Sequence, residues 1–171
     1  MKKTCVSNST PLIYLSKIGE IRLLKSIFEK VYIPKAVFEE VVVRGGELNK
    51  IGVIPLEKMI KEGFIEVKEV QEQTKIIPTL HRGEMDAISL ARNMEIDVLL
   101  IDDKEGYTAA GLFRLQPLRT TALLLMLYRD GAATYEEFCD SLLRLSEEGY
   151  FMKAEVYNKL IKKAKELKDS R

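Results

Sequence analysis

One stretch of the sequence constrains the fold more than any other. Val98-Leu99-Leu100-Ile101 is wholly apolar and runs directly into Asp102-Asp103. A short, continuous apolar run of this kind is typical of a parallel strand that helices bury on both faces. In such sheets, ligands bind beyond the carboxyl ends of the strands. The stretch therefore predicts an α/β fold and makes the two aspartates candidates for a site at the edge of the sheet.

Short strands and helices alternate along the rest of the chain. Cys5-Val6 is interpreted as the end of a first strand, residues 31–33 as a second and residues 64–67 as a third. Two short helices interrupted by Gly19 are predicted after Pro11, followed by helices from Pro34 to Gly45-Gly46 and over residues 52–62, 81–94 and 107–113. Thr120-Thr121 is interpreted as the cap of a further helix, Thr134 and Glu137 have capping-box spacing at the start of the next, and a final helix includes residues 156–164. This alternation predicts a parallel sheet covered by helices on both faces.

The length and charge of the chain limit what it can be. A chain of 171 residues without repeats or low-complexity linkers suits a single domain over residues 1–171. Lys and Arg number 27 against 26 Asp and Glu, so the net charge favours no polyanionic partner. A nucleic-acid partner would need a local basic patch.

The compartment is predicted to be the cytoplasm. No apolar signal-peptide segment follows Met1, and the longest apolar run, residues 122–127, is too short to cross a bilayer, so no membrane role is expected. Cys5 and Cys139 are far apart and lack metal-ligand spacing, as expected of reduced thiols.

Polar residues follow the strands or open helices at four places. They are Asn8-Ser9-Thr10, Glu39-Glu40, Glu84 with Asp86, and Asp102-Asp103. Carboxylates held close together repel one another unless a cation neutralises them. Oxygen ligands without clustered histidine or cysteine favour Mg²⁺ or Mn²⁺ over zinc. One or two such ions can activate water and orient a phosphodiester for in-line displacement.

Each place also has a purely structural interpretation. Asn8-Ser9-Thr10 suits a helix cap, and Glu39-Glu40 suits a solvated helix face. Glu84 and Asp86 suit the dipole at a helix start. Asp102-Asp103, after a buried strand, is the sharpest functional candidate, and only together do the four favour one site. No GxGxxG fingerprint or P-loop supports a nucleotide cofactor.

The order and spacing of these residues resemble the PIN-domain family, in the branch close to VapC-type toxin ribonucleases. The resemblance lies in residues 6–13, in Ile33-Pro34 through Glu40-Val41, in Gly83-Glu84 with Ala87-Ile88, and in residues 99–103 with Gly106. It implies a three-layer α/β/α sandwich with a short central parallel sheet. The core would span about residues 4–131, and a helical C-terminal extension about residues 132–168.

What the resemblance implies is a Mg²⁺- or Mn²⁺-dependent endoribonuclease, the toxin of a toxin–antitoxin pair, held inactive by a small antitoxin. A homodimer is natural for this branch. The implied metal ligands are Asn8, Glu40, Glu84, Asp86, Asp102 and Asp103, and the catalytic residues among them are Glu40, Glu84, Asp102 and Asp103. Ser9 or Thr10 would order the loop or a water on the metal. Arg82, Lys104 and Arg114 lie near these residues in sequence and are candidates for contacts with RNA phosphates.

Asn8 departs from the family pattern, which has an aspartate at this place. An amide offers a metal one neutral oxygen and no charge. A second hypothesis is therefore a catalytically weakened PIN-fold module that binds RNA or protein. A third, a receiver-like or phosphatase-like protein, needs an aspartate after the first strand, and Asn8 counts against it.

Overall fold

A computed structural model describes residues 2–45, 53–74 and 77–169. The strands are β1 Lys3–Ser7, β2 Phe28–Pro34, β3 Ile65–Lys68, β4 Val98–Leu100 and β5 Gln116–Leu118. The helices are α1 Ser9–Lys17, α2 Leu24–Ile27, α3 Lys35–Phe38, α4 Val53–Lys61, α5 Arg82–Asn93, α6 Lys104–Leu112, α7 Thr120–Arg129, α8 Tyr135–Glu147 and α9 Ala154–Asp169. Gly46 and Gly52, where one predicted helix stops and the next starts, lie outside the described residues.

The predicted parallel sheet is confirmed, with the strand order β3-β2-β1-β4-β5. All four strand pairs are parallel. Val6 of β1 stands beside Tyr32 of β2 on one side and Leu99 of β4 on the other. β1 is therefore the central strand, with β2 and β3 on one side and β4 and β5 on the other.

The direction of the crossovers sets the two helical layers. The chain moves from β1 through β2 to β3, then passes back to β4 and on to β5. Because such crossovers are right-handed, connections that run in opposite directions lie on opposite faces of the sheet. Helices α1 and α4 contact each other in one layer, and α5 contacts α6 in the other. The arrangement is the predicted α/β/α sandwich.

The core beneath α5 explains why the apolar run at β4 is so pronounced. Ile88 and Ala91 of α5 are fully buried with Val6 of β1 and Leu99 of β4. Burying a side chain of this size stabilises a fold by roughly 1.5–3 kcal/mol. The strand that precedes Asp102 is thereby packed tightly against α5.

Three elements differ from the sequence-based expectation. β5 is a short strand that pairs with β4 and was not predicted. Helix α6 begins at Lys104, three residues earlier than expected, because Asp103 accepts hydrogen bonds from the amides of Glu105 and Gly106 and caps it. The helix after β2 changes from α-helical to π-helical hydrogen bonding over Glu39–Arg44.

The chain divides into two compact units, Met1–Thr120 and Thr121–Arg171. The sheet lies in the first. In the second, α8 starts with the predicted capping box: the Thr134 hydroxyl accepts from the Glu137 amide, and the Glu137 carboxylate accepts from the Thr134 amide. Phe138 of the same helix is buried and stacks on Tyr128. That residues 1–171 form one domain remains a prediction.

Both cysteines are free thiols, Cys5 buried and Cys139 half-buried. Burial raises the pKa of the Cys5 thiol well above its usual range, so it is protonated and unreactive at neutral pH. Across the described residues, no helix combines the length and the apolar character needed to cross a membrane.

Candidate functional site

The site lies where β1 and β4 end side by side. The backbone amide of Asn8, just after β1, donates to the carbonyl of Leu100, the last residue of β4, at 3.0 Å. Asp102 follows two residues later. Because the crossover from β1 leads to β2 and the crossover from β4 leads to β5 in the opposite direction, this is the switch point of the sheet, where open α/β sheets leave a crevice for ligands.

Asn8 holds a buried oxygen without a partner. The residue is only 4% exposed and occupies the N-cap position of α1, yet its side chain makes no capping hydrogen bond. Its Oδ1 atom has no hydrogen-bond partner among the residues that the structure describes. Leaving such an acceptor unsatisfied costs about 1–3 kcal/mol, and native proteins rarely tolerate it without a reason. An amide oxygen is also a neutral ligand for a hard cation, so the observation fits a metal site.

Ser9 brings Glu40 to the same place. The Ser9 hydroxyl donates to Oε2 of Glu40 at 2.5 Å. A Cβ atom added at Gly83 would lie 3.6 Å from that same oxygen. The exposed carboxylate of Glu40 therefore stands between Ser9, next to Asn8, and Gly83, next to Glu84. Glu40 belongs to the π-helical segment, and such segments occur often at functional sites.

Glu84 is a buried carboxylate in the first turn of α5. Its Oε2 atom accepts a hydrogen bond from the amide of His81, the N-cap of that helix, at 3.0 Å. Burial raises the pKa of Glu84, and the negative charge of Asp103 raises it further, whereas the His81 amide partly offsets both effects. The ionised form of Glu84 is thus poorly compensated, which a bound cation would correct.

The two aspartates after β4 have different partners. Oδ1 of Asp103 accepts from the amides of Glu105 and Gly106, at 2.8 and 2.9 Å. Thr120 holds Asp102 through two hydrogen bonds: the amide donates to Oδ1 at 2.8 Å and the hydroxyl to Oδ2 at 2.7 Å. Because one threonine contacts both oxygens, the plane of the Asp102 carboxylate is fixed.

Gly106 lies between Asp103 and Glu84, because its amide donates to Asp103 and its Cα faces the Glu84 carboxyl group. A Cβ atom there would lie 3.6 Å from the carboxyl carbon of Glu84. The contacts thus link Ser9 to Glu40, and Glu84 to the glycine whose amide donates to Asp103. Asn8 and Asp102 follow the adjacent ends of β1 and β4. That all six side chains form one site remains a prediction. Among the described residues, no group of three acidic, histidine or cysteine side chains lies close enough together to hold a metal ion. The donors are all oxygens, as a hard divalent cation requires.

A family model described as PIN domain (DUF3368) matches residues 4–166. This chain belongs to the PIN-domain family. PIN domains are generally nucleases and generally use divalent metal ions. No protein with a curated description matches the sequence.

The fold of this PIN domain is also found in a solved structure, a PilT N-terminus domain protein from the hyperthermophilic archaeon Sulfolobus solfataricus P2. The two share 16% sequence identity with a TM-score of 0.56, and the match covers 72% of this chain and 92% of the other. At this identity the likeness supports the fold alone.

Asp86 is not part of the group at the strand ends. It lies two residues after Glu84 on α5, which places it about 200° around the helix. Its Oδ1 atom accepts from Nε2 of Gln73 at 2.7 Å, and its Oδ2 atom lies 3.7 Å from Nε of Arg82. Asp86 therefore anchors the segment before α5. Thr10, half-buried in α1, makes no hydrogen bond to the acidic group.

The three predicted basic residues of this PIN domain lie in different places. Lys104 is exposed in the first turn of α6, next to Asp103. Arg82 is exposed one turn before Asp86, whose carboxylate it faces. Arg114 follows the far end of α6 and precedes β5, whose first residue pairs with Val98, the first residue of β4. It therefore lies at the opposite edge of the sheet from Asp102.

Sequence reasoning missed the role of Thr120 and the residue before it. Thr120 was interpreted as a helix cap, but its hydroxyl and amide both donate hydrogen bonds to Asp102. Arg119 stacks on the ring of Tyr107, with its Cζ atom 4.9 Å from the ring centroid. Only the three-dimensional pairing of β4 with β5 brings these residues to Asp102, so no local sequence signal marks them.

Proposed function

We propose that this PIN domain is a Mg²⁺- or Mn²⁺-dependent endoribonuclease. The observation that carries the proposal is the unpartnered oxygen of Asn8, buried at the end of β1 next to the end of β4, the strand that Asp102 and Asp103 follow. If nothing bound that oxygen, the protein would lose stability to an unsatisfied buried acceptor without any functional benefit. The family to which the chain belongs supports the nuclease assignment.

Asn8, Glu84, Asp102 and Asp103 are the residues that would hold the cation. When bound, a divalent cation would polarise the phosphodiester and make water a better nucleophile. Thr120 fixes the plane of the Asp102 carboxylate, and the Ser9 hydroxyl donates one hydrogen bond to the Glu40 carboxylate. Glu40 is exposed, so it is the carboxylate best placed to orient a water for attack and to accept its proton.

Within this function we propose a VapC-like toxin role in the cytoplasm, with a small antitoxin that covers the acidic group, and a homodimer as the assembly. The support is the sequence resemblance in residues 6–13, 33–41 and 99–103. Expression of the chain alone should arrest bacterial growth, and co-expression with a cognate small antitoxin, sought in the neighbouring gene, should restore growth. Unimpaired growth with the chain alone at high levels would contradict the toxin role.

A second candidate function is a PIN-fold module that binds RNA without cutting it. Asn8 favours it, because an amide supplies no negative charge to a metal and leaves the site weaker than an aspartate would. This function predicts that the protein binds RNA without a divalent cation and cleaves it with neither Mg²⁺ nor Mn²⁺.

Cleavage of a labelled single-stranded RNA in Mn²⁺ or Mg²⁺ tests the nuclease proposal. Glu84→Gln and Asp102→Asn should each lower the rate by at least about a hundredfold, since each removes a charge that would hold the cation. Asp86→Asn is the matched control, because it neutralises a buried carboxylate of α5 that faces Gln73 instead. Full activity in both site variants, or equal losses in all three, would reject the assignment.

A further inference from the structure

The carboxylates of the site pose a problem for a polyanionic substrate. The negative charges of Asp103 and Glu105 both act on Glu84, and Asp102 directly precedes Asp103 in the chain. With a net charge of only +1, the chain as a whole does not attract RNA. A strand held at this site therefore needs basic or stacking groups directly beside the carboxylates.

Arg119 and Tyr107 are the groups that meet this need. Arg119 comes directly before Thr120, which holds both oxygens of Asp102. Tyr107 lies in α6, and its amide donates to the carbonyl of Asp103 at 2.9 Å. The guanidinium of Arg119 stacks on the Tyr107 ring, which is 37% exposed. Arg119 is thus the chain neighbour of the threonine that binds Asp102, and Tyr107 lies one helical turn after Asp103.

The positive charge of Arg119 is available to a ligand. It forms no ion pair with any carboxylate in residues 2–45, 53–74 and 77–169. Arg82, by contrast, faces Asp86. The planar guanidinium can stack on an aromatic ring and still present its N–H groups edge-on to the two oxygens of a phosphate.

We propose that Arg119 and Tyr107 form a binding site for one nucleotide of a single-stranded RNA next to the acidic group. Arg119 contacts the backbone phosphate, and an unpaired base stacks on the exposed part of the Tyr107 ring or on the guanidinium. Stacking of this kind selects single strands, because the bases of a duplex are already stacked on one another. The inference rests on the proposed function for the identity of the substrate, but binding can be measured without cleavage.

The test is fluorescence anisotropy with a labelled RNA oligonucleotide in EDTA, where the nuclease proposed above cannot act. Arg119→Ala and Tyr107→Leu should each weaken binding roughly tenfold. Arg119→Ala should also reduce the slope of log K against log salt by about 0.7, the value for one phosphate contact on a single strand. Tyr107→Phe keeps the ring and should bind like the original protein, and Arg119→Lys should fall between.

Arg92→Ala is the matched control. Arg92 makes the same kind of contact, with its Cζ atom 5.1 Å from the ring centroid of Phe113, so the variant loses the same charge and the same stacking elsewhere. Its affinity and salt slope should not change. Thermal melting of each variant confirms that it is folded.

Three results would overturn the inference: no RNA binding by the original protein, equal affinity in Arg119→Ala, or equal losses in Arg119→Ala and Arg92→Ala. A duplex RNA that binds as tightly as the single strand would also overturn it. Binding that depends on Arg119, together with no cleavage in Mn²⁺ or Mg²⁺, would support this site and reject the nuclease proposal.

Discussion

At the scale of single residues, the side chain of Asn8 decides how strongly the site holds a cation. Asn8→Asp adds a negative charge and a second oxygen beside Glu84 and Asp102. Without metal the variant should be less stable than the original protein, because a buried charge lacks a partner. With Mn²⁺ it should bind at least about tenfold more tightly by calorimetry, since the added charge is then compensated.

Asn93→Asp provides the comparison for that change. Asn93 is exposed, and its Oδ1 atom accepts from the amides of Gln71 and Glu72. An aspartate there keeps these two bonds and stays in contact with solvent, and it loses only the donation from Nδ2 to the carbonyl of Glu72. Mn²⁺ affinity should not change. Identical affinities in Asn8→Asp and the original protein would show that the oxygen of Asn8 does not face a cation.

Thr120 is a positioning residue at the same scale. Thr120→Val removes the hydroxyl that donates to Oδ2 of Asp102 and leaves the backbone bond to Oδ1 in place. Mn²⁺ affinity should fall about tenfold, as is usual when a group that orients a metal ligand is lost. Thr120→Ser should restore it, and Thr121→Val, at a neighbouring buried threonine, should leave it unchanged. A loss in Thr120→Ser equal to that in Thr120→Val would point to packing as the cause.

At the scale of elements, the first turn of α6 can approach β4 only because residue 106 is glycine. A Cβ atom there would lie 2.4 Å from Cδ1 of Ile101, which is fully buried. Gly106→Ala should therefore lower the free energy of unfolding by about 1–3 kcal/mol, the cost of overpacking. Gly111→Ala, in the same helix with open space around it, should raise it by up to about 1 kcal/mol. Urea denaturation measures both, and equal effects would contradict the close approach.

The elements also show what a sequence can predict. β4 was predicted because four apolar residues in a row have few alternatives, and α5 because its apolar spacing and first-turn acid are local signals. β5 was missed because Gln116-Pro117-Leu118 is short and contains a proline, which fits only an edge strand. The alternation of strands and helices also led to the expectation that a site lies beyond the carboxyl ends of the strands.

What the sequence did not reveal depends on side-chain direction. Glu84 and Asp86 were grouped as neighbours in sequence, but two residues on a helix point to different sides. Arg114 was grouped with Asp102 by its number, but α6 carries the chain to the opposite edge of the sheet. Thr120 reaches Asp102 across strand pairing, which no local pattern encodes.

At the scale of the whole molecule, nearly equal numbers of basic and acidic residues conceal an uneven distribution. The carboxylates of the site all lie in the unit Met1–Thr120, and they gather at one edge of the sheet. Elsewhere acidic groups are paired: Glu66 contacts Lys30 and Lys68, which lower its pKa. Glu84 at the site and Glu66 at the surface should therefore contribute to the pH dependence of stability in opposite directions.

Glu84 makes that response measurable. Because burial and Asp103 raise its pKa in the folded protein, the folded state holds the proton more tightly than the unfolded chain, whose value is about 4.5. Its contribution to stability is therefore complete below pH 4.5 and is lost as the pH rises through the folded pKa. In EDTA, Glu84→Gln should flatten this loss and be more stable than the original protein at pH 7. Mn²⁺ should reverse the order, since binding to the folded state stabilises the original protein more than a variant with a weakened site. Urea denaturation from pH 4 to 8, with and without Mn²⁺, measures both effects, and parallel curves for the two proteins would show that no cation relieves the charge on Glu84.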